Sequence, residues 1–530
     1  MEKWHTLLCM SFFFTTFARK FDYLIMKKIF FLAALLLPMM SFAQERVMVI
    51  ADPHVTPQSV IDMEPDFDNY MKTQRKMLDL SEPIWHAMLD TALKYKPDLV
   101  LIPGDLTRDG EAAAHDTVSA GILRLQAAGI RTLVIPGNHD LPGENWEALY
   151  PGTFDGAVKD PGSHSFAVEP LPGVTVIGID GSDGKASIGK LSGATQAWIL
   201  DQADAAVAKG NMIIAMSHWQ ILEHFDMQGT LESSCRFSNA DDLRDKLMHH
   251  GVHLVLTGHF HVNGITTFRD TTGLSNDSLV EITTGSPITF PCPYRWLTLS
   301  KDRKQVAVTT DYITSLDNIA DLTTYSREWM QEHTYNMIPA LARRAWGKVM
   351  DKWDEKVVPA LQQAGISSFM ISAIKMLLPQ DAEGQVAITQ QYMGEPAVNL
   401  YIFHSEANEN ERPEVGQALA DAVYEGMNGL IGALLGPVAA VLPTFKKMAH
   451  AVAEVPVQSL VEDKTQWQSE RYADVTDDLH PILVINDAEL QGVEQLEEES
   501  SRAVKYIQNG QLLIQKGNQI YTPQGQRIAQ

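Results

Sequence analysis

Residues 131–143 read RTLVIPGNHDLPG. A short apolar run, 132–135, stops abruptly at Pro136, Gly137, Asn138, His139 and Asp140. Gly, Asn and Asp are ordinary turn residues, because they tolerate or cap sharp backbone. A histidine wedged between an amide and a carboxylate is not something a turn needs. The run itself is continuously apolar rather than alternating, which suits a strand buried on both faces, as in sheets covered by helices.

Five further runs share that texture: VMVI (47–50), LVLI (99–102), VTVIGI (174–179), MIIAM (212–216) and HLVLT (253–257). Helical patterns lie between them. In SEPIWHAMLDTALKY (81–95), Ile84 and Met88, and Trp85 and Leu89, recur at i, i+4 behind a candidate cap, Ser81. The pattern at 191–210 starts at a second candidate cap, Ser192, and ends at Gly210. This alternation predicts an α/β domain.

The polar residues after each run form a series. They are Asp52 and His54, then Gly104 and Asp105, then Gly137 to Asp140, then His218, then Gly258, His259 and His261. In α/β sheets the carboxyl ends of the strands are where ligands bind. Asp52 with His54, and His259 with His261, stand at i, i+2. Extended chain would put each pair on one side, gripping one site together. A set of Asp, Asn and His without thiolate suits Mn, Fe or Zn and disfavours a structural cysteine site. Seven ligands exceed what one ion with open positions needs, and fit two ions sharing one carboxylate.

The order D-x-H, G-D, G-N-H-D, H, G-H-x-H over residues 46–300 resembles the calcineurin-like metallophosphoesterases. The resemblance implies a sandwich of two mixed β-sheets flanked by helices, with the metals at the strand ends. One metal would take Asp52, His54, Asp105 and His261; the other would take Asp105, Asn138, His218 and His259, with Asp105 bridging. A metal-bridging hydroxide would attack phosphorus in line, and His139 would act as general acid on the leaving oxygen. Asp140 joins His139 in the catalytic set, as a partner holding the loop or the imidazole. GDLTRDGE (104–111) and EITTGSPITFPCPYRWLTLS (281–300) are similar to the bacterial cyclic-nucleotide phosphodiesterase branch, some members of which carry a helical C-terminal domain. Arg295 in the second motif has two readings, a phosphate contact or a strand-surface ion pair.

Bulk composition narrows the substrate. The 530 residues carry 42 Lys and Arg against 66 Asp and Glu, a net charge of -24. Tracking a nucleic-acid polymer needs clustered cations, so no such polymer is expected as a partner. A small phosphate ester remains compatible when metal ions supply the positive charge locally. The expectation is an exported dimetal phosphoesterase acting on phosphodiesters, cyclic nucleotides among them, or on phosphomonoesters. The alternatives are a non-catalytic surface binding protein on a phosphoesterase scaffold, or a nuclease of the same superfamily.

Residues 1–43 read as a signal peptide, with Met26 as the better start: Lys27 and Lys28, an apolar stretch, then Ser41 and Ala43 before Gln44. The catalytic domain is expected over 44–315, a mainly helical domain over 316–480, and a linker with a short β-rich tail over 481–530. The apolar stretch 429–443 is interrupted by Gly and Pro and reads as a buried hairpin, so no stable membrane span is expected. Residues 397–414 read as a strand and a polar loop, in which His404 and Glu406 either close over the site or stay exposed. Of three cysteines, Cys235 and Cys292 follow the leader; pairing and free thiols both stay open. His164, His224, His249 and His250 have no metal-like spacing. The tail, with three strand candidates and turns at 509–510, 516–517 and 523–525, resembles the sorting tails handled by type IX secretion machinery. An ordinary terminal hairpin is the other reading.

Overall fold

In the computed structural model the described residues are 44–485, except 144, 183–187, 226–227, 271–276, 364, 439–440, 463–471 and 475–477. Beyond them the backbone of 504–508, 511–516, 519–521 and 527–528 is described. The signal-peptide reading and the tail's turns therefore fall outside the described residues, wholly or in part.

All six apolar runs are strands, each within a residue of its expected bounds: Arg46–Val49, Leu99–Pro103, Arg131–Ile135, Val174–Ile179, Met212–Ser217 and Leu254–Thr257. They divide between two mixed sheets. In the six-stranded sheet, Arg46–Val49, Leu99–Pro103 and Arg131–Ile135 run parallel side by side, and Pro293–Leu299 pairs antiparallel with the first. In the eight-stranded sheet, Val174–Ile179, Met212–Ser217, Leu254–Thr257 and Ser278–Thr283 run parallel in that order.

Period-two alternation then sorts the side chains of the second sheet. Val174, Val176, Ile214, Met216, Leu254 and Leu256 face the core shared with the first sheet. Ile177, Ile179, Ile213, Ala215 and Val255 face the opposite way, under helices Gly193–Lys209 and Ala240–His249. Helices Ser81–Tyr95 and Ala112–Ala127 cover the first sheet through Ile84, Trp85, Met88, Val118 and Ile122. Each such side chain, once fully buried, contributes about 1.5–3 kcal/mol. The result is the expected sandwich of two mixed sheets flanked by helices. Ser192 caps its helix by accepting from the Thr195 N–H, and Gly210 closes it in the left-handed conformation. Ser81 is not a cap: it is already helical, and its hydroxyl bridges the Thr56 N–H and the Leu78 carbonyl.

After the sandwich the chain turns helical, from Leu322–Asp351 to Leu442–Glu462. Helix Ala382–Ser405 packs against Leu322–Asp351 on one side and Pro413–Leu435 on the other. It runs straight through 397–405, where a strand was expected. The stretch 429–443 is the end of Pro413–Leu435, a short turn and the start of Leu442–Glu462. Among the described residues no helix is long and apolar enough to cross a membrane. The chain then returns to the sandwich, adding Tyr472–Asp474 to one sheet beside Gly264–Arg269 and Ile482–Val484 to the other beside Gln305–Tyr312. This compact unit closes at Asn486. The separate tail is an antiparallel meander of four strands, Val504–Gln508, Gln511–Lys516, Gln519–Tyr521 and Arg527–Ile528, one more than expected.

Candidate metal centre

The parallel strands of both sheets end at one place, and the backbone there is unusual. Asp52, His54, Asp105, His259 and His261 all have positive φ, between 39° and 66°. Non-glycine residues avoid this left-handed region, and where they adopt it the surroundings must hold them there. The holding bonds are visible. The His54 N–H donates to the Asp105 carbonyl at 3.0 Å, and the Gly258 N–H to the His218 carbonyl at 3.2 Å. The Ser286 hydroxyl donates to the Asp52 carbonyl at 2.6 Å. Left-handed turns, not extended alternation, therefore bring Asp52 and His54 together. The same turns send His259 and His261 to different groups.

Two glycines are fixed by close approach. A Cβ at Gly137 would stand 2.2 Å from Asp105 Oδ1, and one at Gly258 would stand 2.3 Å from Asp52 Oδ2. Neither space admits a side chain while those carboxylates keep their places.

The side chains converge in two groups, Asp52, His54, Asp105 and His261, and Asp105, His218 and His259. Asp105 belongs to both. His54 Nε2 lies 3.1 Å from His261 Nε2 and 3.4 Å from Asp105 Oδ2. His261 Nε2 lies 3.5 Å from Asp52 Oδ1. His218 Nε2 lies 3.3 Å from the same Asp105 Oδ2 and 3.0 Å from Asn138 Oδ1, which brings Asn138 into the second group. Donor atoms about 2.0–2.2 Å from a shared cation stand about 3.0–3.5 Å from one another in tetrahedral or octahedral arrangements. The observed separations fall in that range. All seven sequence-derived ligand candidates thus come together, with oxygen and imidazole donors that fit two cations.

Protonation fits the same reading. A ligating imidazole must be neutral, and burial holds His54, His259 and His261 below the ordinary histidine value. His54 Nδ1 is buried without a hydrogen-bond partner. His218 differs: burial works to lower it, but the carboxylates of Asp105 and Asp52 raise it to about 9. Its Nδ1 donates to the Pro103 carbonyl at 3.0 Å, so Nε2 is the nitrogen turned to Asp105 and Asn138. His259 Nε2 likewise engages the Ser234 carbonyl at 3.2 Å, which leaves Nδ1 for ligation.

His139 stands beside the first group, its ring centre 4.8 Å from that of His54 in an edge-on arrangement. Its own N–H donates to Asp105 Oδ1 at 2.9 Å. Its Nδ1 sits 2.6 Å from the Arg108 carbonyl and 2.9 Å from Asp109 Oδ1. Burial opposes protonation, yet the bond to Asp109 helps hold the imidazole above its ordinary value. Asp109, inside the GDLTRDGE motif, is therefore the residue that orients His139, and the sequence reading missed it.

Asp140 does not touch the imidazole. It is fully buried, and its oxygens accept from the Thr107 N–H and hydroxyl and from the Gly137 N–H. It ties the G-D loop to the G-N-H-D loop, the first of its two expected roles. Burial and the nearby Asp105 charge raise its pKa.

Asp105, His139, His259 and His261 line a cavity of about 230 Å³. Thr73, Gln74, Arg75 and Lys76 form another side, and Met330, Met337 and Tyr401 from the helical region face it. No spacing or motif singled these residues out. Arg295 does not stand on a strand surface. It is fully buried in Pro293–Leu299, and its Nε donates to Asn263 Oδ1 at 3.2 Å. His404, at the end of its helix, packs near Phe260 and Phe225 and pairs with Glu409, while Glu406 pairs with Arg412 and Arg327. Both serve packing at the edge of the helical region. Cys235 and Cys292 are free and buried, and burial pushes each thiol up to about 12. His164, His224, His249 and His250 each pair with a carboxylate away from the centre.

Comparison with known proteins agrees with the motifs. Residues 45–263 match the family model described as calcineurin-like phosphoesterase. The chain is 28% identical over 178 residues to a "Probable cyclic nucleotide phosphodiesterase" of Synechococcus sp., covering 32% of this chain and 63% of that one. It is 28% identical over 170 residues to a "Probable glycerophosphodiester phosphodiesterase GpdQ" of Arcobacter nitrofigilis, covering 30% and 59%. The chain thus spans about six-tenths of the length of these curated relatives. Among solved structures, a dimetal phosphatase from Danio rerio aligns with a TM-score of 0.39 at 16% identity, covering 51% of this chain and 96% of that one. A purple acid phosphatase from yellow lupin (Lupinus luteus) aligns with a TM-score of 0.37 at 14% identity, covering 53% of each chain.

Proposed function

We propose that this chain, which resembles the calcineurin-like phosphoesterases over residues 45–263, is an exported, metal-dependent hydrolase of small phosphodiesters with His139 as general acid. One observation carries the reading: two ligand groups share Asp105, and His139 stands beside them on the wall of the same cavity. Asp52, His54, Asp105 and His261 would hold one cation, and Asp105, Asn138, His218 and His259 the other. Cations bound there would neutralise phosphate oxygens and make water acidic enough to serve as nucleophile near neutral pH.

The chain's own residues supply the remainder. Asp109 and the Arg108 carbonyl hold His139 by Nδ1, which fixes the ring and supports its protonated form. Nε2 is then free to give a proton to the departing oxygen. Asp140 keeps the two loops in register, so that Asp105 and His139 stay at their spacing. A cavity of about 230 Å³ beneath helices, in a chain of net charge -24, favours a small ester over a polymer strand. The names of the curated relatives favour diesters over monoesters.

The test is turnover of bis-p-nitrophenyl phosphate, a cyclic nucleotide and glycerophosphocholine by protein supplied separately with Mn, Fe and Zn. His139→Ala should keep its metal and lose about 10²–10⁴-fold in rate on esters with poor leaving groups. The loss should be smaller on p-nitrophenyl esters, whose leaving group needs little protonation. A variant fully active on a poor leaving group would refute the acid role. Export rests on the leader-like residues 1–43. N-terminal sequencing of the protein recovered outside the cytoplasm should begin at Gln44, and an intact cytoplasmic chain would refute it. The tail resembling a type IX sorting signal would act through secretion machinery, so its deletion should leave the protein in the periplasm.

A further inference from the structure

The cavity carries more positive charge than one diester phosphate requires. Arg75 and Lys76 lie on one wall, half-buried, and among the described residues neither forms an ion pair. The carboxylates that act on Lys76 are Asp105, Asp109 and Asp52, none within ion-pairing distance. Asp105 and Asp52 belong to the ligand groups, and Asp109 is engaged by His139 and Arg108. Glu232, on the cavity wall near Cys235, is the remaining acidic side chain of the lining. In a chain with 24 more acidic than basic groups, two neighbouring cations left without a carboxylate are a costly arrangement unless a ligand completes it.

They are also held in place. The Trp329 indole N–H donates to the Gln74 carbonyl at 3.0 Å, and the Asn336 amide to the Lys72 carbonyl at 3.0 Å. The Met77 N–H donates to the Ile288 carbonyl at 2.8 Å. The Arg75 guanidinium lies 4.7 Å above the Tyr401 ring. The segment 72–77 is thus clamped between helix Leu322–Asp351 and a loop of the sandwich, with helix Ala382–Ser405 under Arg75.

A phosphodiester bears one negative charge, and its two free oxygens are what the ligand groups' cations would take. We propose that Lys76 and Arg75 form a second anion subsite, so that the substrate is a small phosphate ester whose organic arm carries a further phosphate or carboxylate. The helical region, by clamping residues 72–77, builds this subsite. The inference rests on the proposed phosphoesterase reading and narrows its substrate class.

The experiment compares three nitrophenyl diesters on the metal-loaded full-length protein. They are thymidine 5′-(p-nitrophenyl phosphate), the same compound with a 3′-phosphate, and the p-nitrophenyl phosphodiester of 3-hydroxypropionate. The first has a neutral arm, the second a phosphate arm and the third a carboxylate arm. The expected result is a kcat/KM at least tenfold higher for one of the anionic arms than for the neutral one, carried mainly by KM. In Lys76→Gln and Arg75→Gln that ratio should fall at least fivefold. Whichever anionic arm is preferred identifies the second group. Calorimetric binding of thymidine 3′,5′-diphosphate gives a readout independent of turnover, and each variant should bind it at least fivefold more weakly. Absence of any preference in the wild type, an equal loss on all three esters, or unchanged diphosphate binding in the variants would each overturn the proposal. Hydrolysis of the neutral-arm ester without a charge preference would remove the subsite and leave the phosphoesterase reading standing. No hydrolysis of any ester under any metal would refute that reading, and diphosphate binding would still decide the subsite.

Discussion

Two regions meet at one cavity and are built differently. The sandwich reaches it with Asp105, His139, His259 and His261, and behind them Asp52, His54 and His218 are, like Asp105, buried to within about 1%. They stand on one continuous core that runs from Val47 to Ile485. The helical region reaches the cavity with Met330, Met337 and Tyr401 and rests on three smaller apolar clusters. Large apolar side chains also stand exposed there, among them Phe369 at 80% and Met376 at 77%. A cation centre needs donor atoms placed to a few tenths of an ångström, and dense packing around strained turns supplies that. A wall that selects an organic arm tolerates looser tolerances, and adaptable methionines suit it. The rigid base would thus set the rate and the helical wall would set the substrate.

This contrast can be broken from the rigid side first. Gly137→Ala drives a methyl into Asp105 Oδ1. It should cost about 1–3 kcal/mol of stability from overpacking. It should also cost about 10²–10³-fold in kcat, the scale of losing one charge-stabilising group. Thermal melts and steady-state kinetics check both, and a fully active variant would mean that Asp105 need not sit where it does.

Asp140→Ala should come next. It removes the acceptor for Thr107 and Gly137. A loss of about 10–100-fold in activity or metal affinity is the usual scale for a residue that supports ligands without touching the metal. Unchanged metal affinity and rate would show the loops hold themselves.

The smallest effect is expected from the helical side. Trp329→Phe with Asn336→Ala removes the two clamps on residues 72–76. Each such bond is worth about 0.5–1.5 kcal/mol. KM should rise by less than about tenfold on that account, with kcat nearly constant. A fall in kcat with KM unchanged would mean that the helices act on the rate and that the division of labour is wrong.

The same contrast explains what the sequence disclosed. A strand buried on both faces must be apolar throughout and must stop at its turn, so Arg131–Ile135 and its five counterparts stood out with their polar ends. Candidate ligands at those ends were legible because no packing requirement asks for Asn138 or His218 there. The left-handed backbone at Asp52, His54, Asp105, His259 and His261 was not legible, since any residue can be forced into it by distant bonds. That is why extended alternation was the wrong reason for the Asp52–His54 pair. Residues 397–403 misled for a different reason. Val398 and Ile402 pack into one cluster while Leu400 and Phe403 pack into another. A helix buried on two sides loses its 3.6-residue stripe and reads as an apolar strand. Lys76, Arg75 and Asp109 carry their meaning only in three dimensions: the first two line a cavity on a segment held by remote helices and a loop, and the third meets His139 across its loop.

The central claim is that one carboxylate serves two cations. Metal content and binding isotherms of the wild type and Asp105→Asn, measured alongside circular dichroism to show that the fold persists, test it most directly. The account predicts two cations per wild-type chain and a loss of both, or a severe weakening of both together, in the variant. An Asp105→Asn protein that still takes up two cations with wild-type affinity would contradict it.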